Sequence, residues 1–110
     1  MNESEYLKKK MILDTVSNPD KVNNNLKKYC QTNNLPLPKI YISSLKNKKY
    51  MIINPYNDKK VHFGDIRYED YTKHNNEERK QKYLLRASKI KGEWINNPFS
   101  SNNLSMYLLW

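Results

Sequence analysis

Residues 39–63 read KIYISSLKNKKYMIINPYNDKKVHF, and the fold turns on how this stretch divides. Ile40, Ile42 and Ser44 alternate with Tyr41 and Ser43, while Tyr50, Ile52 and Asn54 alternate with Met51 and Ile53. A period of two in β-branched and aromatic residues marks strands, whose side chains point to opposite faces in turn. Lys46-Asn47-Lys48 separates the first two runs. Pro55-Tyr56-Asn57-Asp58 supplies turn residues before the third run, Lys59-Lys60-Val61-His62-Phe63. The economical reading is a three-stranded antiparallel meander.

Upstream, Ser17 or Asn18 can cap a helix, Pro19 suits its first position, and Asp20 meets the positive end of the helix dipole. Val22, Leu26, Tyr29 and Cys30 then share one face, predicting a helix from Pro19 to Thr32. The prolines of NNLPLPK (33–39) end it. Residues 1–16 form a short helix carrying Leu7, Met11 and Leu13, or else a frayed arm, ahead of a single domain over 17–110. The Lys8-Lys9-Lys10 triplet is expected to be solvated.

Downstream, Gly64 should close the sheet and DIRYEDYTKH (65–74) should be an irregular link. Asn75 followed three residues later by Glu78 is a capping signature, so a helix is expected from there to Ile90 or Lys91, ended by Gly92. On a helical wheel Tyr83, Ala87 and Ile90 make the core face, with Leu84 at its margin. Arg79, Lys82, Arg86 and Lys89, spaced by three, four and three, make an adjoining basic stripe with no acid among them. The tail GEWINNPFSSNNLSMYLLW (92–110) should dock on the sheet as a short capped helix after Ser100 or Ser101. The fold class is therefore α+β: a small three-stranded antiparallel sheet packed with two main helices and a short hydrophobic C-terminal helix.

Composition narrows the function. A chain of 110 residues buries roughly 65% of its unfolded surface, so one modest core is expected. At 37% apolar residues that core depends on its nine Tyr, two Trp and two Phe. Two glycines exclude a glycine-rich phosphate loop, and one cysteine excludes an internal disulfide or a thiolate zinc site and suits a reducing compartment. The N-terminal apolar run is too short for a secretory core, and no window approaches the roughly 20 apolar residues needed to span a bilayer. A cytosolic type without membrane insertion or cofactor is expected.

The net charge of +9 favours an anionic partner. Seventeen Lys against three Arg favour backbone neutralisation over base reading, since forked recognition of base edges needs arginine. Sixteen Asn beside those lysines offer a second origin for the charge, an A- and T-rich coding sequence.

From Lys49 onward, three segments stand out: KKYMIINPYNDKKVHFGD (48–65), YEDYTKHNNEERKQKYLLRASKI (68–90), and Trp94 with the closing LLW (108–110). In these segments the chain resembles a family of short proteins of large nucleocytoplasmic DNA viruses of protists and algae, over residues 49–110. The resemblance implies a viral origin and importance for Phe63, Gly64, Asp70, Tyr71, Thr72, His74, Arg79, Tyr83 and Arg86, but brings no activity with it. Ala87, Ser88 and Ile90 depart from the arginine- and histidine-rich version of the motif, which thins the basic character of the helix.

Three function classes follow. The leading one is a non-enzymatic protein that binds nucleic acid without sequence preference through Arg79, Lys82, Arg86 and Lys89, helped by Lys59 and Lys60. DNA is expected ahead of RNA, in the virion or in the viral factory of the host cytoplasm. Tyr68 and Tyr71, beside Arg67 and Lys73, are candidates for stacking on bases. The second class is a minor virion component that meets viral structural proteins through Tyr107, Leu108, Leu109 and Trp110. The third is a small hydrolase using His62, Asp70 and His74, although no metal-ligand spacing supports a metal there. The oligomeric state is left open.

Overall fold

The computed structural model describes residues 1–110, with the side chain of Glu93 excepted. Helix α1 (Glu3–Val16) and helix α2 (Pro19–Thr32) precede strands β1 (Ile40–Ile42), β2 (Lys48–Ile53) and β3 (Lys60–Asp65). A single turn α3 (Tyr71–His74), helix α4 (Glu77–Ser88), a 3-10 turn (Glu93–Asn96) and helix α5 (Ser101–Leu104) follow. A π-helical turn at Ser105–Leu109 continues α5. The sheet order is β1-β2-β3, antiparallel throughout, with Tyr41 opposite Met51 and Tyr50 opposite Phe63. The α+β class and the meander are as the alternation predicts.

Residues 1–16 are a helix and not an arm. The Asn2 side chain accepts from Glu5 N, and Leu13 reaches the core, while Leu7 and Met11 stay exposed. Lys9 is not merely solvated: its Nζ donates to Ser43 O at 2.5 Å and Leu45 O at 2.6 Å, clamping α1 to the β1–β2 turn. The second helix begins as its sequence dictates, with the Asn18 side chain accepting from Lys21 N and Pro19 in the first turn. Val22, Leu26 and Cys30 are buried on its inner face. They pack with Leu13, Tyr50, Ile52, Phe63, Phe99, Leu104, Leu108 and Leu109.

Three expectations around α4 need correction. Tyr71–His74 is a helical turn, because the Asp70 side chain accepts from Thr72 N and caps it. Asn75 then sits in the left-handed region (φ 53°, ψ 29°), which asparagine tolerates, and ends that turn. The cap of α4 is therefore Asn76, whose side chain accepts from Arg79 N. At its far end α4 stops at Ser88, well before Gly92. Carbonyls near the end find partners from the tail: Asn102 Nδ2 donates to Ala87 O, and Trp94 Nε1 to Ile90 O. Ile90 is thus 52% exposed instead of part of the core face, and Lys89 is the C-terminal cap residue, outside the helix.

The tail docks as α5 with Ser100 as its cap. Leu108 and Leu109 are buried, so these two proposed interface residues belong to the core; Tyr107 alone of the four is exposed. Gly64 also differs from expectation. It lies inside β3 at φ +81°, and a Cβ there would stand 2.8 Å from Leu109 Cδ1 and 3.1 Å from Lys49 Cβ. Only glycine fits both the dihedral and the space.

Candidate nucleic-acid interface

Lys49 and Tyr50 are consecutive in β2 and both buried. Successive strand residues face opposite ways, so the sheet is covered on both sides at this level. Lys49 is 2% exposed and Asp70 0%, and Lys49 Nζ donates to Asp70 Oδ2 at 3.0 Å. Burial pulls the Lys49 ammonium below its ordinary range, and the adjacent Asp70 opposes that pull.

The other Asp70 oxygen accepts from Thr72 N at 3.0 Å and from the Thr72 hydroxyl. With its hydrogen so committed, Thr72 Oγ1 can only accept, from Asn18 N at 2.9 Å and from Ser17 Oγ at 3.3 Å. Ser17 in turn accepts from Tyr50 OH at 2.7 Å. The hydroxyl protons of Tyr50, Ser17 and Thr72 therefore all run toward Asp70. This buried chain joins β2, the α1–α2 junction and α3, and gives Asp70 and Thr72 an architectural role.

The two histidines do not join a catalytic group. His62 Nδ1 and Ser43 Oγ share a hydrogen bond of 2.7 Å. His74 Nδ1 accepts from Asn76 N at 2.8 Å, and its ring lies 5.1 Å from that of Trp110. Burial lowers the pKa of both imidazoles, with Lys60 adding to the effect at His62 and Arg79 at His74. Among the described residues no three His, Cys, Asp or Glu side chains are grouped as metal ligands.

The basic stripe has a different shape from the one expected. Arg79, Lys82 and Arg86 line a cleft of about 400 Å³ together with Lys48, Lys49 and Tyr68. The Tyr83 and Trp110 rings, stacked at 4.4 Å with an 11° interplanar angle, form another wall. Two carboxylates, Asp65 and Glu69, also line it against four cations, the fifth lining lysine, Lys49, being already paired with the buried Asp70. Lys89 does not line the cleft. Nor do Lys59 and Lys60: Lys60 pairs with Ile53, whereas Lys48 pairs with Asp65 beside the cleft. Five residue steps along the hairpin put them roughly 17 Å away. The stripe also has an acid within its own helix, since Lys82 Nζ lies 3.0 Å from Glu78 Oε1. Both side chains are about three-quarters exposed, so this pair is weak and salt-sensitive. Lys48 and Lys49, which reading the chain missed, complete the basic lining.

Asp65 is largely neutralised at the cleft mouth. Arg67 Nε donates to Asp65 Oδ1 at 3.0 Å and Nη2 to Oδ2 at 2.7 Å. These bonds hold the Asp65 carboxyl down at about 2. Because this folded-state value lies below the unfolded one, the pair's stabilisation is complete above the ordinary carboxylate range and is lost as pH falls through about 2. In Arg67→Ala the Asp65 carboxyl should titrate near the ordinary aspartate value, as a carbon-detected NMR titration would show. An unchanged value in the variant would mean that the fork does not hold it.

Residues 39–87 match the model of a family of unknown function, DUF5754. No curated protein and no solved structure matches the chain. The matched segment covers the whole sheet, the 65–70 link, α3 and nearly all of α4, and so supplies every cation of the cleft. Ser101, Ser105, Leu109 and Trp110, which complete the lining, lie beyond it.

Proposed function

We propose that the protein binds nucleic acid without sequence preference, as a non-catalytic component, through the cleft between α4 and the open end of the β2–β3 hairpin, where Lys48 pairs with Asp65. The observation that carries this is the convergence of Arg79, Lys82 and Arg86, from one helix face, on the same concavity as Lys48; the ammonium of Lys49, which also lines it, is committed to Asp70. Among the described residues Arg79 and Arg86 take part in no ion pair, so their charge is available to an incoming phosphate. Three arginines in the whole chain favour contacts to the sugar-phosphate backbone over reading of base edges. The resemblance of the 48–65 and 68–90 segments to proteins of large DNA viruses supports a virion or cytoplasmic viral-factory setting, with DNA ahead of RNA. No helix is long and apolar enough to cross a membrane.

Charge reversal at Arg79 and Arg86 together tests the proposal. Both side chains are exposed, so Arg79→Glu with Arg86→Glu should leave the circular dichroism spectrum and melting temperature near those of the parent. Retention on immobilised DNA at low salt should disappear. Undiminished retention by the folded double variant would overturn the assignment.

A further inference from the structure

We infer that the cleft takes a single-stranded segment, with one unpaired base laid on Tyr68 and the flanking phosphates against Arg79, Lys82 and Arg86. This rests on the nucleic-acid reading and adds the form of the strand. A duplex keeps its bases stacked inside and offers phosphates along its outer ridges, whereas the cations here converge on a concavity of about 400 Å³. That volume falls in the range of pockets that enclose small ligands, so an unpaired nucleotide can enter while a duplex touches only the rim.

Tyr68 is the aromatic group placed for such a base. The residue is 62% exposed and lines the cleft. Tyr83 and Trp110 already stack on each other, which occupies the faces they share. Tyr71 is excluded: it lines a separate groove, with Lys80 Nζ 4.5 Å from its ring centroid and its hydroxyl bonded to Glu77. Arg67 Cζ lies 6.0 Å from the Tyr68 centroid, at the outer limit of a cation–π contact, and leaves the ring open. A tight turn fixes the backbone that carries the ring, because Tyr68 N donates to Asp65 O at 3.2 Å and Arg67 N to Asp65 Oδ1 at 2.9 Å. A charged groove combined with an open aromatic face is the arrangement that holds single strands irrespective of sequence.

The test compares a fluorescein-labelled oligothymidylate with a hairpin duplex of equal phosphate number, by anisotropy at low salt. Tyr68→Ala should weaken binding of the single strand about tenfold and change duplex binding less than twofold. Tyr68→Phe should keep the parent affinity for both. Equal losses on the two forms, or no loss on the single strand, would overturn the inference while leaving the nucleic-acid reading in place. Absence of binding to either form by the parent protein would overturn both.

Discussion

Lys49→Met should lower the melting temperature by about 12 °C or more. Methionine fills much the same volume, so the change isolates the charge. It leaves the fully buried Asp70 carboxylate with its Thr72 hydrogen bonds but without its counter-ion. Breaking a buried ion pair from one side costs about 3–5 kcal/mol. Each kcal/mol is about 4 °C or more in a domain near this size. The companion variant, Lys49→Met with Asp70→Asn, should recover much of the loss. Asparagine oxygen still accepts from Thr72 N and caps α3, and no unpaired charge remains. A single variant that melts within a few degrees of the parent would mean that the pair is open to water.

Deleting residues 106–110 should abolish cooperative unfolding altogether. Leu108 and Leu109 are fully buried, and each such side chain contributes about 1.5–3 kcal/mol. The deletion also removes the acceptor for Asn25 Nδ2, which donates to Leu108 O at 2.8 Å, and the rings of Tyr107 and Trp110, stacked on Tyr29 and Tyr83. Domains are stable by about 5–15 kcal/mol in total, so the sum is comparable to the whole. Thermal or urea unfolding followed by circular dichroism reads the result. A truncated chain with a sharp transition near the parent's would return the tail to the role of an interface.

Much of the architecture is legible in the chain because its signals are local. Asn18-Pro19-Asp20 punctuates the start of α2, and the period of two in residues 39–63 lays out the meander. The misreadings lie where distant residues decide. Two adjacent asparagines can each cap α4, and only the left-handed backbone of Asn75 resolves the choice in favour of Asn76. At the early end of α4 two tail residues reach back, Asn102 to the carbonyl of Ala87 in the helix and Trp94 to that of Ile90, two residues beyond it.

The candidate site is half legible. Arg79, Lys82 and Arg86 follow from helical spacing, and their face is as the spacing implies. What periodicity cannot disclose is that the face turns into a cleft. Lys49 stands in a Lys-Lys pair at the start of a strand, where solvation is the ordinary outcome. Its burial is caused by Asp70, twenty-one residues later, and by Leu109 closing over Gly64. A separation of 31 residues from Arg79 likewise hides Lys48 from the stripe. Lys59, Lys60 and Lys89 match the charge pattern but not the geometry, since charge alone carries no direction.

The most direct measurement of the central claim is the salt dependence of binding to an oligothymidylate. If Arg79, Lys82, Arg86 and Lys48 meet phosphates, log affinity should fall linearly with log salt concentration with a slope of about −2 to −3, at about −0.7 per phosphate contact. The Arg79→Glu, Arg86→Glu variant should bind too weakly to yield a slope. A slope near zero in the parent protein, or equal slopes in parent and variant, would contradict the account.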